Sequence, residues 1–275
     1  MNYVKSFRET DLEKLGRLKI FSWLSPSEVK ALGSSLKMHN FQRNEVIFRE
    51  STVVTDAHVL VSGIARVTCL NGRDDRVTVA LIAPGAIPGF PTLPINRFDF
   101  RCEAYSNCRI GTMDWSGFES VTANGREAAF KKFHQNDLKH WYRLFLRSSG
   151  LLNLDLHDRV AITMLDLCDD FGIEDARGTL LKASFSHKDI ASIVGASRPR
   201  VTEHLGQMER DHYLVRQGRQ FIVCSAKLME SLSVQHAARE SFSPHTQPDA
   251  IAVAGDPTPD HAAGQVRFIE KTELI

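Results

Sequence analysis

The sequence predicts an α+β fold in which a β-rich N-terminal domain, a long amphipathic helix and a C-terminal helical domain follow one another. Three observations predict this order. Short runs of β-branched residues, separated by turn residues, occupy the region from 21 to about 120. From about Arg126 onward, apolar residues recur at three- and four-residue steps, as on one face of a helix. Residues 153 to about 228 combine helical patterns with a final hairpin.

The composition indicates a globular protein with room for two ordinary domains, since 43% of its 275 residues are hydrophobic and 24% are charged. The formal charge of +1 means that any nucleic-acid contact would have to come from a local patch. Five scattered cysteines without a CxxC pair argue against a disulfide framework or a zinc site, and they fit a reducing compartment. The N-terminus lacks a signal sequence, and no apolar run approaches the length that spans a bilayer. We therefore expect a cytoplasmic protein with no membrane partner.

The N-terminal region reads as a small β-sandwich or roll. Runs rich in β-branched residues cover 45–50, 58–70 and 76–82, and turn signals at Gly63, 71–75 and 83–89 interrupt them. Before these strands, residues 24–36 predict a short helix. Its expected start is a capping box of Ser25 and Glu28, with Pro26 at the first helical position.

The apolar stripe of the long helix has two interpretations. It packs on its own domain, or it packs against a second copy of itself as a coiled coil. The periodicity alone does not choose between them. The residues of the stripe are Phe130, Phe133, Leu138, Trp141, Leu144, Phe145, Leu151 and Leu152.

The segment 187-HKDIASIVGASRPRVTEHLGQMERDHYLV-215 has the pattern of a helix-turn-helix. That motif requires a small residue where the helices cross and a turn glycine four residues later, which Ala191 and Gly195 supply. Ser197 is the expected N-cap of the second helix, and Pro199 falls in its first turn. The shared apolar core would consist of Ile190, Val194, Val201 and Leu205.

The second helix would then present Arg198, Arg200, Thr202 and Glu203 outward, and these residue types suit the edges of bases and phosphates. Between residues 179 and 230, eight lysines and arginines stand against five acidic residues, so a basic patch lies within a nearly neutral chain. The hairpin after the helix turns at Gly218, and Arg216 and Arg219 flank this turn as the edge of a wing. The alternative is a solvated helical hairpin whose arginines simply face water.

With these motifs, the sequence resembles the CRP/FNR family of bacterial transcription regulators. The resemblance covers about residues 20 to 228. It rests on the helix-turn-helix, on 154-LDLHDRVAITMLDL-167 as the first helix of the DNA-binding domain, and on the glycine-punctuated roll with 83-APGAIPG-89. It implies a cyclic-nucleotide-binding-type β-roll effector domain over 1–125, a dimerisation helix over 126–152 and a winged helix-turn-helix over 153–230. Residues 231–275, rich in proline and small residues, are expected to form a disordered tail.

The same resemblance implies a homodimer that binds double-stranded DNA at two inverted half-sites, with RNA polymerase as a further partner. It also implies that Arg198 reads guanine and that Ser197 contacts a phosphate. Pro199 stands where many members carry a base-reading glutamate, and Glu203 stands where the cAMP receptor carries an arginine, so we expect a different half-site. His204 falls on an inward-facing position. The dimer seam would contain Phe130, Phe133, Leu138, Trp141, Phe145 and Leu152.

The effector segment departs from the pattern of the family. Gly89 is kept, but Phe90 stands near the expected glutamate, and Phe98 and Asp99 stand near the expected Arg-Ser pair. An aspartate repels a phosphate, so the sequence argues against cAMP as the effector. An alignment shifted by one or two residues would bring Arg97 or Arg101 to the phosphate position.

Other sensing chemistry has little support in the sequence. The absence of cysteine from residues 1–68 argues against the iron–sulfur cluster of oxygen-sensing members. Haem or another small molecule stays an alternative, with His39, His58 or Cys69 as an axial ligand. Cys102 and Cys108 read either as a redox pair or as small buried hydrophobes.

These observations together predict a homodimeric, sequence-specific DNA-binding regulator with an altered effector pocket. The alternative from another class is a ligand-binding or protein-interaction module whose helix-turn-helix is degenerate. An enzyme is not expected, because the sequence shows no nucleophile–base pair, P-loop, GxGxxG motif or metal-ligand spacing.

Overall fold

The computed structural model of the chain describes residues 7–22, 24–53, 56–70, 76–85, 100–114, 116–118, 120 and 153–232. These residues all lie within the unit Met1–Gln235. Residues 88–99 of the expected effector segment 88–104, the long helix 126–152 with its dimer seam and nearly all of the tail fall outside the described residues. No helix in the described ranges is long and apolar enough to cross a membrane.

Two short helices begin the described chain: α1 (Glu9–Gly16) and α2 (Pro26–Ser35), with a 3-10 turn between them at Lys19–Phe21. The predicted capping box of α2 is confirmed. The backbone N–H of Ser25 donates to Glu28 Oε2 at 2.7 Å, and the backbone N–H of Glu28 donates to Ser25 Oγ at 3.3 Å. These bonds satisfy amide groups that a helix start leaves without partners, so the helix begins at Pro26.

The N-terminal domain consists of two antiparallel sheets, one with strand order β1-β7-β3 and one with order β2-β6-β4-β5. Their inner faces pack on one another around an apolar core that includes Phe41, Leu60, Val67 and Ile110. The predicted β-rich region is therefore confirmed as a two-sheet structure. Its strands are β1 (Lys37–Phe41), β2 (Val46–Phe48), β3 (Asp56–Ser62), β4 (Ala65–Leu70), β5 (Arg76–Ile82), β6 (Arg101–Ala104) and β7 (Cys108–Asp114).

The outer face of the three-stranded sheet is covered by α1 and α2 through a second apolar cluster. A buried ion pair lies at the edge of this contact, where the Arg109 guanidinium of β7 donates to both carboxylate oxygens of Asp11 at 2.6 Å. The Asp11 carboxylate also accepts the backbone N–H of Arg8 at 2.9 Å. One side chain thus caps α1 and fixes this helix to the sheet.

The C-terminal domain contains a small sheet, three helices that precede or follow its strands, and a further helical segment over 225–232. The helices are α3 (Leu156–Phe171), α4 (His187–Val194) and α5 (Arg198–Arg210). The strands β8 (Gly172–Asp175), β9 (Gly178–Leu181), β10 (Leu214–Gln217) and β11 (Gln220–Val223) form a sheet of order β10-β11-β9-β8. The hairpin β10–β11 with its turn at Gly218 was predicted, whereas the sequence pattern gave no indication of β8 and β9.

The two domains share one apolar core. Ile64, Leu81 and Tyr105 of the N-terminal sheets belong to the same buried cluster as the helices of the C-terminal domain. The ring of Tyr105 stacks on Phe185 with centroids 5.7 Å apart, and Phe185 in turn meets Phe171 at 5.4 Å. The helix-turn-helix is therefore held against the four-stranded sheet by buried apolar area.

Candidate nucleic-acid interface

The helices α4 and α5 form a helix-turn-helix whose turn depends on Gly195. This residue has φ 64 and ψ 42, the left-handed conformation that glycine adopts at little cost, and its N–H donates to the Ala191 carbonyl. Ala191 is buried where the helices cross, as predicted. The predicted shared core is confirmed, because its four residues are each at most 2% exposed: Ile190, Val194, Val201 and Leu205.

The opposite face of α5 is open to solvent at its N-terminal end. Arg198, Arg200, Thr202 and Glu203 are all exposed there, on the first two turns of the helix. Ser197 occupies the N-cap position with extended backbone, but its hydroxyl makes no capping hydrogen bond with any described residue. Ser197 is itself exposed, so its hydroxyl and the N-terminal end of α5 lie next to the two arginines, and such an arrangement suits phosphate oxygens.

The wing is the β10–β11 hairpin, in which Arg216 pairs in register with Phe221. The guanidinium of Arg216 lies 5.3 Å from the centre of the Phe221 ring, and its Nε is 3.4 Å from Glu209 Oε1 of α5. Arg219 is exposed beside Gly218, and its carbonyl accepts a hydrogen bond from Ser184 Oγ at 2.8 Å. Arg216 of the wing thus lies beside α5.

His187, which sequence reasoning did not single out, connects the wing to α5. Its Nδ1 lies 2.8 Å from Thr202 Oγ1 and its Nε2 lies 2.5 Å from Arg216 Nη2. The imidazole also stacks on the Phe221 ring at 6.3 Å. Burial and the neighbouring Arg216 charge hold the pKa of His187 below its usual value of 6.5. The only available sequence signal was a histidine at the first position of the first helix of the motif.

His204 was expected on an inward-facing position of α5. Its side chain is half-buried, and its ring meets that of His157 on α3 edge-on, with centroids 5.8 Å apart. This packing leaves the outward face of α5 to the four residues named above.

Polar contacts join the four-stranded sheet of the N-terminal domain to α4. The backbone N–H of Thr78 donates to Ser192 Oγ at 2.8 Å, and that hydroxyl donates to Thr78 Oγ1 at 2.9 Å. The phenol of Tyr105 lies 2.9 Å from Asp189 Oδ2. Sequence reasoning did not foresee these contacts.

Arg101 was a candidate for the effector pocket, and the structure places it at the start of β6. Its Nε lies 3.5 Å from Glu103 Oε2, and Glu103 also accepts hydrogen bonds from Arg66. Because Cys102 between them is buried in the core, strand alternation puts Arg101 and Glu103 on the outer face of the sheet. Arg66 reaches onward to Asp189 of α4 at 3.6 Å, so a chain of charges runs from β6 to the helix-turn-helix.

The three residues considered as alternative haem ligands lie on three different strands. His39 lies in β1 with its Nε2 3.1 Å from Thr112 Oγ1, and His58 lies in β3 with its Nδ1 2.9 Å from the Asp56 carbonyl. Burial lowers the pKa of both imidazoles. Cys69 is half-exposed on β4 in the other sheet. Among the described residues, no cluster of three or more histidine, cysteine or acidic side chains could hold a metal ion.

Cys102 and Cys108 both belong to the core between the two sheets. Burial raises the pKa of Cys102, and burial raises that of Cys108 to about 11. The Cys108 thiol also lies 3.1 Å from the Ile64 carbonyl. At neutral pH both side chains are therefore thiols, which fits small buried hydrophobes better than a reactive pair.

Two family models match the chain and together cover more than half of it. The cyclic nucleotide-binding domain matches residues 38–125, which include the two sheets. The Crp-like helix-turn-helix domain matches residues 158–232, which include α4, α5 and the wing.

Curated relatives match over most of their own lengths. The CRP-like cAMP-activated global transcriptional regulator of Mycobacterium tuberculosis is 24% identical over 226 residues, which are 78% of this chain and 96% of that protein. The global nitrogen regulator of Synechococcus elongatus is 24% identical over 186 residues, or 65% of this chain and 83% of that protein. These relatives are transcription regulators and not enzymes.

Solved structures show the same fold. FixK2 from Bradyrhizobium japonicum superposes with a TM-score of 0.61 at 19% identity, covering 71% of this chain and 96% of that chain. The c-di-GMP-responsive regulator CLP of Xanthomonas campestris superposes with a TM-score of 0.59 at 16% identity, covering 72% of this chain and 99% of that chain. With a cyclic-nucleotide-binding-type roll joined to a Crp-like helix-turn-helix, the chain belongs to the CRP/FNR family of transcription regulators.

Proposed function

We propose that the protein is a homodimeric regulator that reads an inverted-repeat DNA operator through Arg198, Arg200, Thr202 and Glu203. One observation carries the proposal: these four side chains are exposed on the N-terminal turns of α5, while the other face of the same helix is buried in the domain core. A helix fixed in this way can enter the major groove, which is about 12 Å wide, without losing its own packing.

The residue types divide into two roles. Arg198 suits bidentate hydrogen bonds to guanine O6 and N7, and Glu203 can accept from cytosine N4. Ser197, Arg216 and Arg219 lie around this surface and suit phosphates, which position the protein without reading sequence. The chain as a whole is nearly neutral, so this local patch supplies the electrostatic attraction to DNA.

The dimer is proposed from the apolar stripe of the long helix, which includes Phe130, Trp141 and Phe145 and lies outside the described residues. The support for it is the helical period of that stripe and membership of a family whose members read paired half-sites. RNA polymerase is the protein partner through which we expect a DNA-bound regulator to act on transcription.

The effector of this chain is proposed not to be cAMP. Phe98 and Asp99 stand near the positions at which the family carries a phosphate-binding Arg-Ser pair, and a carboxylate repels a phosphate. Among the arginines of this region, Arg101 is described, and its guanidinium faces Glu103 on the outer face of the sheet. Either another small molecule occupies the roll, or the roll serves as a scaffold for the dimer.

The test is selection of DNA by the purified, ligand-free chain from a randomised duplex pool, followed by sequencing of the bound fraction. Enrichment of an inverted repeat supports a dimer that reads DNA without an effector. Retention of DNA without sequence preference, lost steeply as salt rises, would mean that the recognition helices are held out of register. Binding that salt does not weaken, or none at all, would overturn the proposal in favour of a protein-interaction module.

A further inference from the structure

The DNA-facing surface contains a side chain that touches two of its proposed contact residues at once. His187, at the first position of α4, lies 2.8 Å from the hydroxyl of Thr202 on α5 and 2.5 Å from the guanidinium of Arg216 on the wing. Thr202 and Arg216 belong to separate elements, and the imidazole of His187 lies within hydrogen-bond distance of both. The imidazole stacks on the ring of Phe221, which is 3% exposed.

The partners of the imidazole determine where its proton lies. An arginine side chain only donates hydrogen bonds, so the Nε2 atom that faces Arg216 must be the bare acceptor nitrogen. A neutral imidazole carries its single proton on the other nitrogen, and Nδ1 therefore donates to Thr202 Oγ1. The Thr202 oxygen receives this bond, so its own O–H hydrogen points elsewhere and is free to donate.

This arrangement defines what Thr202 can recognise. With one lone pair of its oxygen held by the imidazole, the Thr202 hydroxyl keeps its hydrogen for donation in a set direction, to an acceptor such as guanine O6, thymine O4, a purine N7 or a phosphate oxygen. The same imidazole holds the Arg216 side chain over Phe221 and beside Glu209, so the wing is fixed relative to α5. Without the bond to His187, the long side chain of Arg216 would lose one of the contacts that hold it at the exposed edge of the wing.

We propose that neutral His187 is a positioning residue that sets the donor direction of Thr202 and fixes the wing arginine, so that specific DNA recognition requires its unprotonated form. This inference rests on the proposed DNA-binding function. A proton on Nε2 would place two N–H groups and two positive charges against each other, and the bond to Arg216 would break. Recognition would then lose specificity, although an added positive charge does not weaken general attraction to DNA.

The charged neighbours of His187 indicate where this change falls on the pH scale. Burial, then the charge of Arg216 on β10 and that of Arg198 on α5, lower its pKa, and Glu209 on α5 opposes them. The net direction of the pKa is downward from 6.5, so the neutral form predominates above pH 6.5 and is lost as the pH falls through the lowered pKa.

The experiment compares binding of the full chain to the duplex enriched from the randomised pool with binding to a scrambled duplex of the same composition, from pH 8 to pH 5.5 at constant salt. The ratio of the two dissociation constants is the specificity. For the wild-type chain we expect it to fall about tenfold, the equivalent of one net hydrogen bond, as the pH drops through the lowered pKa of His187. His187→Phe keeps the ring stack but neither hydrogen bond, so it should show the reduced ratio at every pH.

Two further variants separate positioning from folding. His187→Gln keeps an acceptor for Arg216, so it should recover part of the ratio and show no pH step. His212→Asn changes an exposed histidine at φ 61, which asparagine tolerates, and should retain the full wild-type pH profile. A His187→Phe chain whose ratio equals that of the wild type from pH 8 to pH 5.5 would overturn the inference while the proposed function stands.

A readout without DNA tests the tautomer itself. In the full chain labelled with ¹⁵N histidine, the nitrogen resonances of His187, assigned by their loss in His187→Gln, should show a protonated Nδ1 and a bare Nε2 at pH 8. A proton on Nε2 at that pH would overturn the inference. If the chain shows no salt-sensitive binding to the pool at all, the proposed function fails instead, and the resonances still decide whether the imidazole is held as the structure indicates.

Discussion

The phenol oxygen of Tyr105 lies 2.9 Å from Oδ2 of Asp189, so a side chain of the N-terminal roll bonds directly to the first helix of the helix-turn-helix. The same phenol is 2.9 Å from the Ser184 carbonyl, in the segment that leads into that helix. Burial and the carboxylate of Asp189 raise the pKa of Tyr105, so it is a donor at every physiological pH. The orientation of the helix-turn-helix domain therefore depends on a contact made by the N-terminal domain.

Tyr105→Phe should loosen this contact without disturbing the helix. The ring would stay stacked on Phe185, and the Asp189 carboxylate would keep its bonds from Ser186 that cap α4. We expect a loss of about 1 kcal/mol in the free energy of unfolding, one net hydrogen bond, together with faster amide hydrogen exchange in α4. Urea unfolding and exchange mass spectrometry measure the two effects.

Tyr213→Phe is the matched control. The ammonium of Lys227 lies 5.0 Å from the centre of the Tyr213 ring, and the substitution preserves this contact. We expect a change within about 0.5 kcal/mol, as for most surface substitutions. Equal exchange in α4 for the wild type and Tyr105→Phe would show that the phenol does not hold the two domains together.

Arg198→Ala should relax specificity at one base pair in each half-site. Loss of a bidentate contact to guanine costs about 1–3 kcal/mol at that position and leaves the other positions unchanged. Competition binding with single-base variants of the selected duplex measures it. Arg219→Ala, at the wing turn, should instead weaken all sequences alike and reduce the salt dependence. If Arg198→Ala weakens binding to all sequences equally, Arg198 contacts a phosphate and not a base.

Gly178→Ala should be strongly destabilising. This residue has φ +140, and an added Cβ would lie 2.3 Å from the Val223 carbonyl oxygen, a backbone atom of the neighbouring strand. Strain of this kind costs about 3 kcal/mol, which thermal and urea unfolding would detect readily. Gly218→Asn is the control, because the turn there has φ +61, and among the described atoms none lies within 4 Å of an added Cβ. A small effect at Gly178 would mean that the β8–β9 hairpin can move away from β11.

Asp11→Asn should destabilise the N-terminal domain. It should also make the free energy of unfolding depend less steeply on pH in the acid range. The variant leaves Arg109 buried against a neutral amide, and breaking a buried ion pair costs about 3–5 kcal/mol. Burial tends to raise the pKa of Asp11, but the hydrogen bonds from Arg109 and from the Arg8 amide outweigh it and hold the pKa below 3.8. The contribution of Asp11 is thus complete above the ordinary carboxyl range and is lost as the pH falls through the lowered pKa.

Urea unfolding at pH 7 and at successively lower pH checks both expectations. The matched control is Asp175→Asn, whose partner Arg177 is half-exposed and whose ion pair, screened by water, should contribute little to stability. Identical acid slopes for the wild type and Asp11→Asn would rule out Asp11 as the source of acid sensitivity.

Native thiol labelling should divide the five cysteines into two groups. Cys69 and Cys224 are partly exposed and should react with iodoacetamide at pH 8. Burial raises the pKa of Cys108 and of Cys168 each to about 11 and raises that of Cys102, so these three should label only after unfolding in urea. Mass spectrometry of the labelled peptides measures the order. Fast native labelling of Cys102 or Cys108 would restore the redox-pair interpretation.

The local motifs could be predicted because the residues that make them are neighbours in the chain. The capping box at Ser25 and Glu28 and the turn at Gly195 each satisfy backbone groups within a few positions, whatever surrounds them. The buried face of α5 was also predicted, because its apolar residues recur at the spacing of one face of a helix. In contrast, β8 and β9 were not foreseen, because 172-GIEDARGTLL-181 carries weak strand signals, and β9 joins the sheet by pairing with β11, which is distant in the sequence.

The sequence by itself determined the order of the elements, the family and the face of α5 that points outward, since periodicity, capping and turn chemistry act over a few residues. Only the tertiary structure decided which distant side chains meet. Tyr105 and Asp189 are 84 positions apart, and Thr202 and Arg216 are joined by a histidine from a third element. Contacts of this kind depend on how apolar faces dock, and residue spacing along the chain contains no record of that docking.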